Sequence, residues 1–285
     1  MTTLEPLVSI MMPVYNPGPY FRLAVLSILQ QTYQRWELLI VDDGTTDGAF
    51  ETIADVKDAR VRILRDGNNF GLARRLNQLI EIAEGDFIAR MDADDVAYRH
   101  RLAKQVEYLL QNPATDLVAT RAITIDSSNH FLGTYPFRET HQEICSHPWL
   151  GFYLPHPTWM ARAGWFKRYQ YAVPAPYLCE DQELLLRSYR NSHFAVLPEV
   201  LFAYRVRTRI AIKTRLLTRW ALFKVFAREF SQRRKWNTVL LVIIAFLGRL
   251  ILDFKLAIKR PRYFSNVPMT SVQSQWIDEL SKISK

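Results

Sequence analysis

Cysteine is scarce in this chain of 285 residues, which carries only Cys145 and Cys179. Neither has metal-ligand spacing, and two thiols cannot staple a chain of this length. A disulfide scaffold is therefore excluded, and a reducing, cytosolic setting is expected. The six histidines are scattered without ligand spacing, which removes the case for zinc. Lys and Arg are absent before Arg22, so Met1–Tyr15 lacks the basic start of an export signal and reads as the lead-in to a strand. Long apolar runs are missing too. Val239–Gly248 is ten residues, well short of the roughly twenty that a bilayer crossing needs, and a longer span would have to bury Arg249 and Asp253.

What is present is ordinary globular material, 49% hydrophobic and 23% charged, enough for one large α/β domain with an appendage or for two small domains. Charge is the unusual quantity. Lys and Arg exceed Asp and Glu by nine, and the excess sits in one place. Between Arg205 and Arg262 there are 16 basic residues and two acids, Glu229 and Asp253, a net +14; the remainder carries −5. A mildly acidic body with a strongly basic C-terminal block suggests two jobs in one polypeptide.

The first hundred residues alternate short apolar runs with helical patterns. Strands are expected at Leu7–Met12, Trp36–Val41, Val61–Leu64 and Phe87–Met91, and helices at Tyr20–Gln30, Phe50–Val56 and Leu72–Ala83. That alternation argues for a mostly parallel sheet with helices on both faces, whose ligands bind beyond the carboxyl ends of the strands. The rule gathers Pro13-Val14-Tyr15-Asn16, Asp42-Asp43-Gly44 and Asp92-Ala93-Asp94-Asp95 on one rim. A helix from Tyr98 to Asn112 follows, then short strands at Leu117–Ala119 and Ile123–Ile125. A Pro-, His- and aromatic-rich stretch, Ser127–Pro176, comes next, then a helix opening at Glu180-Asp181 and a strand pair, Ala195–Leu197 and Leu201–Tyr204.

Clustered carboxylates repel and need a cation or hydrogen-bond donors to stay ionised. Asp92-Ala93-Asp94 after a buried strand, with Asp95 adjoining, suits a hard divalent cation completed by substrate phosphates, although such a pair also serves turns and helix caps. Glu180-Asp181 likewise reads either as a general base with its support or as acids favoured by a helix dipole.

Residues 7–112 resemble the nucleotide-sugar half of family 2 glycosyltransferases with the GT-A fold. The likeness rests on motifs in order: Pro13-Val14-Tyr15-Asn16; Ser27 to Tyr33; Glu37 to Asp47; Asn69-x-Gly71 with Asn77; Gly85-Asp86-Phe87-Ile88; and Asp92 to Asp95. It thins beyond residue 112 but continues through His156-Pro157-Thr158 and Glu180-Asp181-Gln182-Glu183-Leu184 to about Arg205. The resemblance implies inverting transfer of a sugar from a nucleoside diphosphate donor, taken to be UDP-linked. It implies Pro13, Tyr15 and Asp43 at the nucleoside, with Asp43 accepting from the base imide N–H. Asp94 becomes the chief ligand of Mn²⁺ or Mg²⁺, Asp92 contacts the ribose or metal shell, and Asp181 is the catalytic base with Glu180 in support. Asp42, Asp95, His156 and Arg205 are lesser candidates. Tyr204-Arg205 resembles a family pair commonly followed by His, but Arg207 stands in that place, so no histidine role carries over. Arg74 and Arg75, after the glycine of Asn69-x-Gly71, are within reach of a phosphate but are read first as an exposed helix face.

The expected division is a catalytic domain over 1–207, with a nucleotide-sugar half 1–112 and an acceptor half 113–207, then a basic helical region 208–262 and a C-terminal tail 263–285. Thr214–Phe230 reads as an amphipathic helix with Arg on one side and aromatics on the other. The basic region admits three readings: a helix packed on the catalytic domain, a nucleic-acid surface, or helices lying on a membrane. No recognised nucleic-acid module accompanies the charge. The reading carried forward is a peripheral enzyme on the cytoplasmic face, held by anionic lipid and extending a lipid-linked glycan for a bacterial surface polysaccharide. Two rivals stand beside it. One is a nucleotidyltransferase, disfavoured because Tyr15 to Pro19 lacks a basic Gly-rich loop; the other is a membrane adaptor with a vestigial nucleotide-sugar domain, disfavoured by intact Asp43, Asp92, Asp94 and Asp181.

Overall fold

The apolar runs near the N-terminus become buried strands, because a parallel strand covered on both faces has no polar side to offer. The computed structural model describes residues 5–206, 211–258 and 269–283. β1 (Val8–Val14) and β2 (Trp36–Asp42) are buried at every position. Their side chains alternate between two cores. Val8, Ile10, Met12, Leu38 and Ile40 enter one, and Met11, Leu39 and Val41 the other, as the two-residue period of a strand dictates.

The first core is covered by α1 (Phe21–Leu29), which precedes β2, and by α3 (Arg101–Gln111). The second lies under α2 (Leu72–Ile82), α4 (His141–Cys145), α5 (Ala163–Arg168) and α6 (Glu180–Ser188). The remaining strands are β3 (Val61–Arg65), β4 (Phe87–Arg90), β5 (Val96–Ala97), β6 (Leu117–Ile125), β7 (Phe131–Thr134), β8 (Met160–Arg162) and β9 (Phe194–Arg205). They make one sheet of order β3-β2-β1-β4-β8-β6-β9-β5, with β7 on β6. β3, β2, β1 and β4 run parallel, whereas β8 pairs antiparallel with both β4 and β6. Pro13, Asp42 and Arg90 therefore end on the same rim.

Two expectations about strands change. β6 is one strand, not two; Thr120 is buried within it and the Arg121 guanidinium lies over the Phe137 ring. β9 is also one strand, parallel to β6. Its register slips where Thr120 pairs with Leu197 and Arg121 with Val200, so Pro198 and Glu199 form an exposed bulge. Proline cannot donate to a ladder, and a bulge lets the strand continue past it.

The C-terminal part is helical. α7 (Ile212–Gln232) and α8 (Trp236–Ile258) form a hairpin joined by the Arg219–Asp253 ion pair at 2.9 Å and by Phe223 against Phe246. α7 buries Phe226 and Phe230 in the second core, so this helix is packed on the catalytic body. Its apolar residues are not on one side, since Ile212, Leu216, Leu217 and Trp220 face outward. α8 exceeds the ten-residue run read from the sequence, and Trp236–Asp253 is long and apolar enough to cross a membrane by length and composition. Its polar residues turn inward, with Asp253 on Arg219 and the Arg249 guanidinium donating to the Leu150 carbonyl. The segment read as a tail contains α9 (Met269–Ile283). Trp276 is 1% exposed, stacks on Tyr98 and donates to the Asn129 carbonyl. Arg207, Lys259, Arg260 and Arg262 lie outside the described residues.

Candidate active site

The rim is built from turns that begin where the parallel strands end. Tyr15, the first residue past β1, is 59% exposed, whereas Pro13 is buried in the ladder opposite Val41. Asn16 takes a positive φ and its side-chain oxygen accepts from Thr46 N–H at 2.8 Å, which ties the first turn to the second. Asp42 is buried and has a partner on each oxygen, accepting from Thr45 N–H at 2.8 Å and from Arg65 at 2.9 Å. It braces the turn.

Asp43 is also buried. Its Oδ1 accepts from Phe70 N–H at 2.7 Å and Arg75 Nε at 3.0 Å, and its Oδ2 from Gly71 N–H at 3.0 Å. A carboxylate has about four acceptor directions, so one on Oδ2 is left. Arg75 is 0% exposed, which corrects its reading as part of an open helix face; only Arg74 is exposed there. Buried charge must be paired, and Arg75 is held by Asp43, Asp66 and the Asn68 carbonyl. Asn77 reaches across to the later half of the chain, exchanging two 2.9 Å hydrogen bonds with the Tyr171 backbone.

Beyond β4 the carboxylates of Asp92, Asp94 and Asp95 have oxygens within 4.8 Å of one another. Burial, then Asp92, raises the Asp94 carboxyl to about 6. Burial, then Asp94 and Asp92, holds Asp95 well above the usual carboxylate range. Asp95 Oδ1 accepts from Arg205 N–H at 2.7 Å, while its buried Oδ2 has no partner. Acceptor-only groups that repel each other, one with an orphaned oxygen, are a donor set that fits a hard divalent cation. Arg205 turns away from the cluster's carboxylates. Its guanidinium donates to the carbonyls of Asp94 and Asp126 and lies over Tyr20, so it supports the loop from behind.

A cavity of about 650 Å³, within the usual range for ligand sites, joins this rim to the start of α6. Arg90, Asp92, His156, Glu180, Asp181 and Tyr204 line it. Arg90 is buried at the end of β4 and ion-pairs with Asp92; Arg101 beneath it donates to the Arg90 carbonyl at 2.8 Å. Burial and then the Asp181 charge raise Glu180 to about 7. Burial also lifts Asp181, opposed by the Gln182 amide, which donates to it at 3.1 Å. The helix dipole favours the ionised acids, but burial outweighs it here. His156 contacts the Tyr171 hydroxyl at 2.6 Å, and burial, then Arg90, drives its pKa well below the ordinary value. It is therefore neutral and not an ionic partner of Glu180.

Sequence reasoning missed Arg90, Tyr135 and the α7 residues Arg215 and Arg219, which also border this cavity. The signal for Arg90 was an arginine inside an otherwise apolar strand, directly before the acidic cluster.

The profile of glycosyl transferase family 2 matches residues 9–170. The O-antigen biosynthesis glycosyltransferase WbnJ of Escherichia coli is 30% identical over 86% of this chain and 97% of its own length. The Escherichia coli UDP-Glc:alpha-D-GlcNAc-diphosphoundecaprenol beta-1,3-glucosyltransferase WfgD is 30% identical over 51% of this chain and 57% of its own. The chain spans about half the length of several curated relatives it matches. The structure of S. aureus TarS 1-349 with UDP-GlcNAc superposes with a TM-score of 0.67 at 17% identity, covering 97% of this chain and 80% of the other.

Proposed function

The chain belongs to glycosyl transferase family 2 and has a GT-A fold, and from that premise we propose that it transfers a sugar, with inversion, from a UDP-linked donor to a hydroxyl of a lipid-linked glycan. The observation that carries this reading is the shared cavity: Asp92 of the rim and Glu180 and Asp181 of α6 border one space. The WfgD and WbnJ names support a lipid-linked acceptor and a surface-polysaccharide setting.

In this reading Tyr15 covers the base, and the remaining acceptor direction of Asp43 Oδ2 takes the imide N–H. Asp94, with Asp92 and Asp95, would hold Mn²⁺ or Mg²⁺, which offsets the charge that grows on the leaving diphosphate. Arg90 holds Asp92 in place through their ion pair. An Asp181 oxygen accepts the proton of the acceptor hydroxyl as that oxygen forms its bond to the anomeric carbon. The anomeric carbon–phosphate oxygen bond breaks on the opposite side, and the nucleoside diphosphate leaves with the electron pair. Gln182 fixes the Asp181 carboxylate through its hydrogen bond, and Gln182 is itself fixed by the Phe152 backbone.

The unit that performs this chemistry is taken as residues 1–207. The hairpin of α7 and α8 holds it to the cytoplasmic face of a membrane as a peripheral protein, with basic residues beside an exposed apolar surface. Purified protein given a panel of nucleotide sugars, with and without chelator, tests the reading. Metal-dependent hydrolysis of one UDP-sugar is expected, abolished in Asp94→Ala. Asp181→Asn should keep donor binding and lose transfer, and near-normal transfer by that variant would remove Asp181 from the role of base.

A further inference from the structure

The cavity carries a cationic wall that the transfer step does not use. Thr214, Arg215, Thr218 and Arg219 of α7 all border it. Residues four apart lie on one helical face, so α7 turns two hydroxyls and two guanidinium groups to the same space. A second space of about 280 Å³ adjoins it and is bordered by Tyr135, Asp181, Arg219, Phe226 and Arg249. Asp181 and Arg219 belong to both, so the proposed base sits where the two meet.

The two arginines differ in their partners. Arg219 is paired with Asp253, whereas Arg215 is half-buried and has no carboxylate partner among the described residues. An unpaired guanidinium at the edge of a cavity is a ready anion site, and its planar fork suits phosphate oxygens. The same stretch of α7 exposes Ile212, Leu216, Leu217 and Trp220, and α8 adds Ile251 and Leu252 beside Asp253. Apolar surface, guanidinium groups and a carboxylate base thus meet around one end of the cavity. A molecule with a hydrocarbon tail, a phosphate ester and a sugar hydroxyl carries matching groups in that order.

We infer that Arg215, with Arg219 beside it, binds the phosphate ester that joins the acceptor's glycan to its lipid, and so sets which sugar hydroxyl reaches Asp181. This rests on the reading of the acceptor as lipid-linked. The donor's diphosphate has the same chemistry, so the test separates the two sources.

Titration of farnesyl diphosphate in mild detergent, followed by calorimetry without donor, reads the site directly. Arg215→Ala should weaken binding tenfold or more, Arg215→Lys by less, and farnesol should bind no better to wild type than to the variant. UDP affinity in Mn²⁺ should stay within twofold. In turnover, Arg215→Ala should lose the preference for a sugar on a lipid diphosphate over the same sugar on an alkyl glycoside. Unchanged farnesyl diphosphate binding overturns the inference, and a tenfold loss of UDP affinity assigns Arg215 to the donor instead. If wild type transfers to neither acceptor while phosphate binding still depends on Arg215, the functional reading fails and the phosphate site stands.

Discussion

Replacing Asp43 separates bracing the rim loop from the proposed contact with the nucleotide base. Its carboxylate accepts from Phe70 N–H and Gly71 N–H, which are part-buried, and from the buried Arg75. Alanine removes one member of a buried ion pair and orphans two backbone N–H groups. Breaking such a pair costs about 3–5 kcal/mol. Arg75 retains Asp66, which limits the loss. Asparagine keeps the Oδ1 contacts, including the 3.2 Å one from Gly71 N–H, but loses the Oδ2 contact and presents no charge to Arg75, for about 2 kcal/mol. Against a total stability of about 5–15 kcal/mol these are large fractions. Urea unfolding followed by circular dichroism, with UDP titration on the folded variants, gives both readouts. Stability should fall in the order wild type, Asn, Ala, and UDP affinity should fall in both variants. If both unfold within about 0.5 kcal/mol of wild type, or Asn costs as much as Ala, the loop does not depend on this carboxylate as described.

Three further outcomes follow from the site and the hairpin. Glu180 is held at about 7 against an ordinary 4.5, and Asp181 is also raised. A base works ionised, so kcat should rise with pH above the ordinary carboxylate range, and Glu180→Gln should move that rise to lower pH by removing a charge beside Asp181. Stability has the opposite sign: a carboxyl that holds its proton more tightly when folded makes metal-free protein less stable as pH climbs from about 4.5 to about 7, which thermal unfolding in chelator measures. Gly151 has φ +87°, and a Cβ there would sit 2.8 Å from the Gln182 side-chain oxygen. Gly151→Ala should lower kcat tenfold or more through Asp181 while leaving the donor KM in place; a changed donor KM with normal kcat would refute that link. Ile244→Asp with Leu247→Asp on the exposed face of α8 should shift the protein from the membrane to the soluble fraction at low salt, and an unchanged distribution would oppose the membrane reading.

The parallel half was legible because its chemistry is local. Strands buried on both faces show as apolar runs, and the residues after them must share a rim, which brought Tyr15, Asp43 and Asp92 to Asp95 together. What was not legible depends on distant partners. Arg75 looks solvated until Asp43 and Asp66 are seen to enclose it, although its place one residue before Leu76 and four before Leu79 put it on the apolar side of α2. Pro198 split a strand that the structure continues through a bulge. α9 was readable in part, since Val272, Trp276, Leu280 and Ile283 repeat at helical spacing, but a tail with mixed charge does not announce what it packs against. The inward turn of Arg215 and Arg219 was hidden because a basic helix reads equally well toward lipid or toward a cavity.

The sheet order has a bearing on how the protein is made. β5 is formed from residues 96 and 97, yet its partner β9 ends at Arg205, whose N–H completes the environment of Asp95. Glu279 then accepts from Arg99 N–H, 180 residues later. On the ribosome, which adds about 5–20 residues per second, the acidic loop emerges early and waits without its brace while the edge of β4 stays unpaired until β8 arrives. The nascent chain therefore carries an open strand edge and an unsupported cluster of like charges for much of its synthesis, so the acidic loop is among the last parts of the molecule to mature.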